Sequence, residues 1–312
     1  MSRMRVIDPG MLTLIEDGGR YGYGNIGITQ SGPADRYSAA WANRLLGNQP
    51  DAAVLEITMG GAVFEALGTI RIALTGADAR LQINNQSVAH WCTHTLHRGD
   101  HLQTGMATEG LRIYLATDGG WGCQTVLGSC ATTPRERLGS ILRAGVILES
   151  RGHPSQTRRV RTSLSRCTPP RQRIDFTPLL RLRMVPTYHH DRFDPLARAH
   201  MIAQRFRVTP ATDRMGCRLR GSPIASPGEI LSEPTACGAV QIPPDGQPII
   251  LLNDHQTIGG YPIIGTVIPP DLSRLAQARP GTQIAFTYIT LDEALHITAA
   301  NDPFTSTSQV PR

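Results

Sequence analysis

Apolar positions along this chain come mostly in short runs that end at Gly, Pro or Asn/Asp clusters, not in long stretches with a helical repeat. In the first half, Ala62–Phe64, Ile70–Thr75, Arg80–Ile83 and Arg112–Thr117 read as strands. Ala239–Ile242, Pro248–Leu252, Thr266–Ile268 and Ile284–Ile289 do so in the second half. Helical spacing is clear in fewer places. Tyr37, Ala40, Trp41 and Leu45 share one face behind Ser31-Gly32-Pro33, which supplies a cap and a first-turn Pro, and Gly47 is placed to stop that helix. A second helix opens at Pro270 and runs toward Ala278, with Pro280-Gly281 as its stop. Thr290-Leu291-Asp292-Glu293 has the spacing of a capping box for a last helix. Many short strands joined by tight turns, with few short helices, predict a mainly β (α+β) fold.

One run breaks the pattern. Residues 251–265, LLNDHQTIGGYPIIG, set Asn253, Asp254, His255, Gln256 and Thr257 between two aliphatic stretches. If the strand continues through them, Asp254 and Gln256 share a face and His255 points the opposite way, outside any site they form. The glycines that follow let backbone approach a ligand closely.

Composition narrows the chemistry. All 31 basic residues are Arg, against 25 acidic ones, for a net charge of +6. Without lysine the chain forms no lysine Schiff base, carries no biotinyl-lysine and has no phosphate loop of the G-x-x-x-x-G-K-[ST] type. The six cysteines (92, 123, 130, 167, 217, 237) form no C-x-x-C pair and read as reduced thiols of a cytoplasmic protein. No apolar stretch has transmembrane length, and the N-terminus meets Pro, Gly and acidic residues before any signal-like core. Segment 151–183 holds nine arginines and one carboxylate, Asp175, with four prolines, and reads as an exposed linker. Its single aromatic, Phe176, argues against nucleic-acid binding. The expected organisation is a domain over 1–150, an Arg/Pro-rich linker over 151–180, and a second domain over 181–312. A loose echo of Asp17, Arg20 and Gly22 in Asp213, Arg214 and Gly216 hints at related halves.

Familiar motifs are weak. Gly22, Gly24 and Gly27 match G-x-G-x-x-G, but ITQSGP follows where a helix should open, and no acidic residue stands at the required distance. His90, Cys92 and His94 alternate as metal ligands on a strand would, yet one strand seldom closes a site, so a surface strand is the plainer reading. His189-His190-Asp191 reads as a polar turn before a helix. There is no G-x-S-x-G elbow and no H-E-x-x-H.

Several segments taken together carry a resemblance. EDGGRYGYGNIGITQSGPADRYSAAWANRLLGN, LEITMGG, ALTGAD, TDRMGCRLRG, LSEPTACGAVQIPPDGQPIILLNDHQTIGGYPIIG and DLSRLAQARPG are similar to the family of 5-oxoprolinase C-subunits, which includes KipA. That family is also described as allophanate hydrolase subunit 2 or biotin-dependent carboxyltransferase-like. The resemblance covers most of the chain outside 151–180. It implies two cyclophilin-like β-barrel domains, a KipI-like partner (the B-subunit of the oxoprolinase) and a third component, its A-subunit. The implied reaction is ATP-dependent opening of the cyclic amide 5-oxoproline to glutamate. ATP, with magnesium, would then be held by arginines, backbone amides or a partner protein. Two other readings stay open: a carboxyltransferase lobe served by biotin on another chain, and a KipA-like regulatory module without turnover.

The site expected on this resemblance is a cleft lined by Arg20, Ser31, Asp35 and Glu56, and by Arg214, Gln241, Asn253, Asp254, Gln256, Thr257 and Tyr261. Asn and Gln offer the paired donors and acceptors that a small amide needs. Arg20 or Arg214 would hold a carboxylate or phosphate. Asp254, with Gln256 and Thr257, would position water or act as base, the alternative being a structural Asp in the turn.

Overall fold

A computed structural model describes residues 2–152 and 165–304. The mainly β fold holds, with four α-helices among the described residues: α1 (Arg36–Leu46), α2 (Pro195–Ala203), α3 (Pro269–Leu275) and α4 (Leu291–Ala300). The chain divides into two compact units. Unit 1 draws on Met1–Arg20, Ser31–Asp175 and Pro303–Arg312, and unit 2 on Tyr21–Gln30 and Phe176–Asp302.

Unit 1 is a nine-stranded sheet curled into a half-barrel. Its spine is the pairing of Ile70–Ile83 with His101–Thr117. The two short strands read at 70–75 and 80–83 are one strand, because Gly76-Ala77-Asp78 forms an irregularity in the ladder and not a break. Gly76 has φ +93°, and a Cβ there would lie 2.3 Å from the Arg112 carbonyl oxygen, so only glycine fits. The apolar face of α1, Ala39, Ala42, Leu45 and Leu46, packs on Val54, Ala73, Tyr114 and Ala116. Asp35, not Ser31, caps this helix: its carboxylate accepts from Ser38 N–H. Gly47 ends it with φ +76°.

Unit 2 closes. Seven strands run in the order Leu179–Pro186, Ile263–Val267, Ala239–Gln241, Ile249–Leu251, Gly216–Arg220, Phe206–Val208 and Gln283–Tyr288, and the last pairs in parallel with the first. Alternate residues Leu182, Phe206, Leu219, Val240, Ile250, Ile264 and Ile284 fill the interior. Burial of each such side chain contributes roughly 1.5–3 kcal/mol. The Thr290–Glu293 capping box forms at the start of α4. Outside the barrel, Glu233–Pro234 and Ile258–Gly259 make a two-stranded ribbon.

The cysteine reading is overturned. Cys92 is bonded to Cys167 and Cys123 to Cys130, leaving Cys217 and Cys237 as thiols. Cys92 and Cys167 are 75 positions apart, so no local spacing announces them. They meet because residues 166–168 run beside 91–93: Thr93 N–H donates to Arg166 O at 2.8 Å, and Thr168 N–H to Trp91 O at 2.9 Å. Of the Arg/Pro-rich segment, 153–164 lie outside the described residues, whereas 165–175 pack on unit 1. Among the described residues no helix is long and apolar enough to cross a membrane, and no group of three or more His, Cys, Asp or Glu is arranged to hold a metal ion.

Candidate functional site

The residues expected to form the site are divided between the two units, and only some of them are brought into contact. In unit 1, Glu56 is fully buried on the strand Val54–Thr58. One carboxylate oxygen accepts from Ala34 N–H and from the Tyr114 hydroxyl, each at 2.8 Å. The other lies 3.4 Å from Arg112 Nε. Tyr114 accepts in turn from Asp35 N–H, so the phenol links the carboxylate to the entry of α1. Burial, then the Glu56 charge, raises the Tyr114 pKa well above its ordinary value and keeps it a donor. Ser31 holds φ +57° and donates to Thr132 O, which fixes the turn into α1.

Arg20 is buried within unit 1. Its Nε donates to Val126 O at 3.0 Å and its Nη2 to Ala131 O at 2.9 Å. Two of its nitrogens thus tie down the loop around 126–131, while Nη1 is buried with no hydrogen-bond partner among the described residues.

In unit 2, residues 252–257 form a turn and not the continued strand expected from the sequence. The backbone is pinned by Asp254 N–H on Arg214 O and His255 N–H on Leu252 O. Strand alternation therefore does not decide where His255 points. Its ring is buried, with Nδ1 2.7 Å from the Gln256 carbonyl oxygen and 3.1 Å from Thr235 Oγ1. Asp254 is 2% exposed, and Arg214 grips it bidentately, Nε to Oδ2 at 2.8 Å and Nη2 to Oδ1 at 3.1 Å. Both partners named as ligand-binding or basic groups thus hold each other.

Gln241 and Gln256 do come together. The Gln256 amide nitrogen lies 3.5 Å from Gln241 Oε1. Gln241 is 2% exposed, and its own Nε2 is buried with no hydrogen-bond partner among the described residues. Gly259 has no side chain to compete: a Cβ there would lie 2.8 Å from Gln241 Nε2. Asn253 is buried and its carbonyl accepts from Thr29 Oγ1 at 3.2 Å, while Thr257 and Tyr261 lie toward the surface.

Sequence reasoning passed over two groups. Arg112 and Tyr114 were visible only as strand residues, although their i, i+2 spacing puts both on the Glu56 side. Tyr188 and His189, read as part of a polar turn, converge on Glu233. Tyr188 donates to Glu233 Oε1 at 2.5 Å, and His189 Nε2 stands 3.6 Å from Oε2.

A closed barrel in unit 2 and a curled sheet in unit 1 make up a carboxyltransferase-type fold. The chain belongs to the carboxyltransferase domain family, subdomains A and B, which matches residues 26–288. It is 32% identical over 297 residues to the 5-oxoprolinase C-subunit of Escherichia coli K12, covering 94% of this chain and 93% of that protein. The 5-oxoprolinase C-subunit of Haemophilus influenzae is 30% identical, covering 95% and 94%. Urea amidolyase of Lachancea kluyveri is 27% identical over 95% of this chain, but the match spans only 17% of that longer protein. Among solved structures, TTHA0988 superposes with a TM-score of 0.83 at 35% identity, covering 92% of this chain and 56% of that one. Urea amidolyase of K. lactis, at 24% identity and TM-score 0.88, shares the fold over 99% of this chain and 20% of its own.

Proposed function

We propose that this protein is the C-subunit-like component of an ATP-dependent 5-oxoprolinase, opening 5-oxoproline to glutamate together with partner proteins. The observation that carries this reading is the near end-to-end correspondence, above 90% of both chains, with two 5-oxoprolinase C-subunits. The urea amidolyase relative is matched over a small fraction of its length, which makes a carboxyltransferase lobe the second reading. Under that second reading biotin would sit on another chain, since this one has no lysine.

The amide cluster of unit 2 suits such a substrate. A cyclic amide presents one carbonyl acceptor and one N–H donor in a plane, and Gln241 offers a buried donor with no partner of its own among the described residues. Asp254 holds Arg214, and the pair fixes the turn that carries Gln256. Arg20 has Nε and Nη2 engaged by backbone carbonyls and Arg214 is paired with Asp254, which favours a nucleotide site on a partner. In this reading the nucleotide and its magnesium belong to a partner, either the KipI-like B-subunit or the A-subunit, in a cytoplasmic hetero-oligomer.

The test is co-expression with a KipI-like protein and an oxoprolinase A-subunit, followed by assay of 5-oxoproline-dependent ATP hydrolysis and glutamate release. Turnover that requires this chain supports the reading. A stable, stoichiometric complex without turnover replaces it with a regulatory, KipA-like role. Capture of a biotinylated carrier with carboxyl transfer to urea would favour the carboxyltransferase lobe.

A further inference from the structure

The ribbon beside the barrel carries a carboxylate that the site described above does not use. Glu233 and Gly259 stand directly opposite each other across it. Directly opposed residues of an antiparallel pair project to the same face, with Cβ positions roughly 5 Å apart. The direction in which Gly259 would project a side chain is occupied by Gln241 Nε2. Glu233 and the unpartnered Gln241 donor therefore lie on one face, with a residue that lacks a side chain between them.

Glu233 is also held in place. Tyr188 donates to one oxygen, and this bond is the main reason that its phenol is pushed up to about 12. His189 approaches the other oxygen through Nε2. The buried His189 ring accepts Ile263 N–H on Nδ1 at 3.3 Å, which leaves the proton on Nε2, facing the carboxylate. Ile263 is the register partner of Gln241 in the barrel. His189 and Gln241 thus flank one residue, and Glu233 is fixed relative to both. A carboxylate has about four acceptor positions. Two are directed at Tyr188 and His189, and the side chain is still 23% exposed.

We propose that Glu233, positioned by Tyr188 and His189, accepts the ring N–H of a cyclic amide whose carbonyl oxygen takes the Gln241 amide. It would be a specificity-determining residue that separates lactams from isosteres lacking the N–H. This deepens the proposed function and rests on it. A site built to accept an N–H rejects an analogue without one, because the acceptor is then left facing a lone pair.

The experiment compares binding of 5-oxoproline and of its lactone isostere, in which a ring oxygen replaces the N–H. Calorimetry is run on the full chain, alone and reconstituted with its KipI-like partner. The wild-type protein should prefer the lactam at least tenfold. Glu233→Ala should bring the two ligands to within about twofold. Glu233→Gln, whose amide can donate to a ring oxygen, should narrow or reverse the preference. Tyr188→Phe should reduce it in part, and Gln241→Ala should weaken both ligands alike. Unfolding midpoints of the Glu233 variants should match wild type, since the residue sits on an outlying ribbon. A Glu233→Ala protein that keeps the full wild-type preference overturns the assignment while leaving the lactam reading intact. A wild-type complex that binds neither ligand removes both.

Discussion

Replacing Arg214 by Met tests what Asp254 does. The Asp254 carboxylate is 2% exposed and takes two charge-assisted bonds from Arg214, at 2.8 and 3.1 Å. Met fills much of the same volume but supplies no charge, so the carboxylate is left buried and unpaired. Removing one partner of such a pair costs about 3–5 kcal/mol, most of it the desolvation of the survivor. With a urea m-value of about 2 kcal/mol per molar, the midpoint should fall by about 1.5–2.5 M. The three tryptophans, Trp41, Trp91 and Trp121, all lie in unit 1, so their fluorescence does not report on this site. Hydrogen exchange in the strands Gly216–Arg220 and Ile249–Leu251, which pair with each other next to the turn, does. The second arm is Arg214→Met with Asp254→Leu. Replacing both charges by apolar groups should recover most of the loss, since an apolar pair of similar volume is often no less stable than the ion pair. A single-variant loss below about 1 kcal/mol, or a double variant no better than the single, would refute the view that Asp254 is a buried structural anion. It would return the residue to candidacy as a general base.

Other expectations follow from the same structure. The full chain denatured without reductant should titrate two thiols and with reductant six, and reduction should lower the stability of unit 1 by about 2–4 kcal/mol, because the Cys92–Cys167 bond closes a long loop. Burial, with smaller contributions from the Arg173 and His94 charges, lowers the His90 pKa to about 4. The folded pKa lies below the unfolded value, so this stabilisation is complete above about pH 6.5 and is lost as pH falls toward 4, for a total of about 3 kcal/mol. Melting temperatures measured from pH 7 to 4.5 should fall accordingly, and His90→Gln should flatten that slope. Thr290→Ala removes the side-chain half of the capping box, the acceptor for Glu293 N–H, while the backbone N–H at 290 still donates to Glu293; it should cost about 1 kcal/mol, read as faster amide exchange in the first turn of α4.

Much was legible in the sequence because it is written in local rules. Strand segments with alternating burial, α1 closed by Gly47, and the Thr290–Glu293 box depend on side chains within a few positions of one another. The resemblance carried by segments from EDGGRYGYG to LSEPTACGAV pointed to the family that the comparison bears out. The interruption at Asn253–Thr257 was also visible, but its shape was not. Whether 252–257 continue a strand or turn depends on Arg214, forty positions away from Asp254, reaching its carboxylate. The same holds for Cys92 and Cys167, and for Arg20, whose partners Val126 and Ala131 lie more than a hundred positions on. Glu233 looked like one more acid before a proline until the ribbon set it opposite Gly259, and the barrel set Gln241 behind that glycine. Sequence by itself determined which segments form strands and helices, because propensity, capping and turn chemistry act over a few residues. Only the tertiary structure decided which charges neutralise one another and which donors stay unpaired, because those outcomes depend on distances set by strands far apart in the chain.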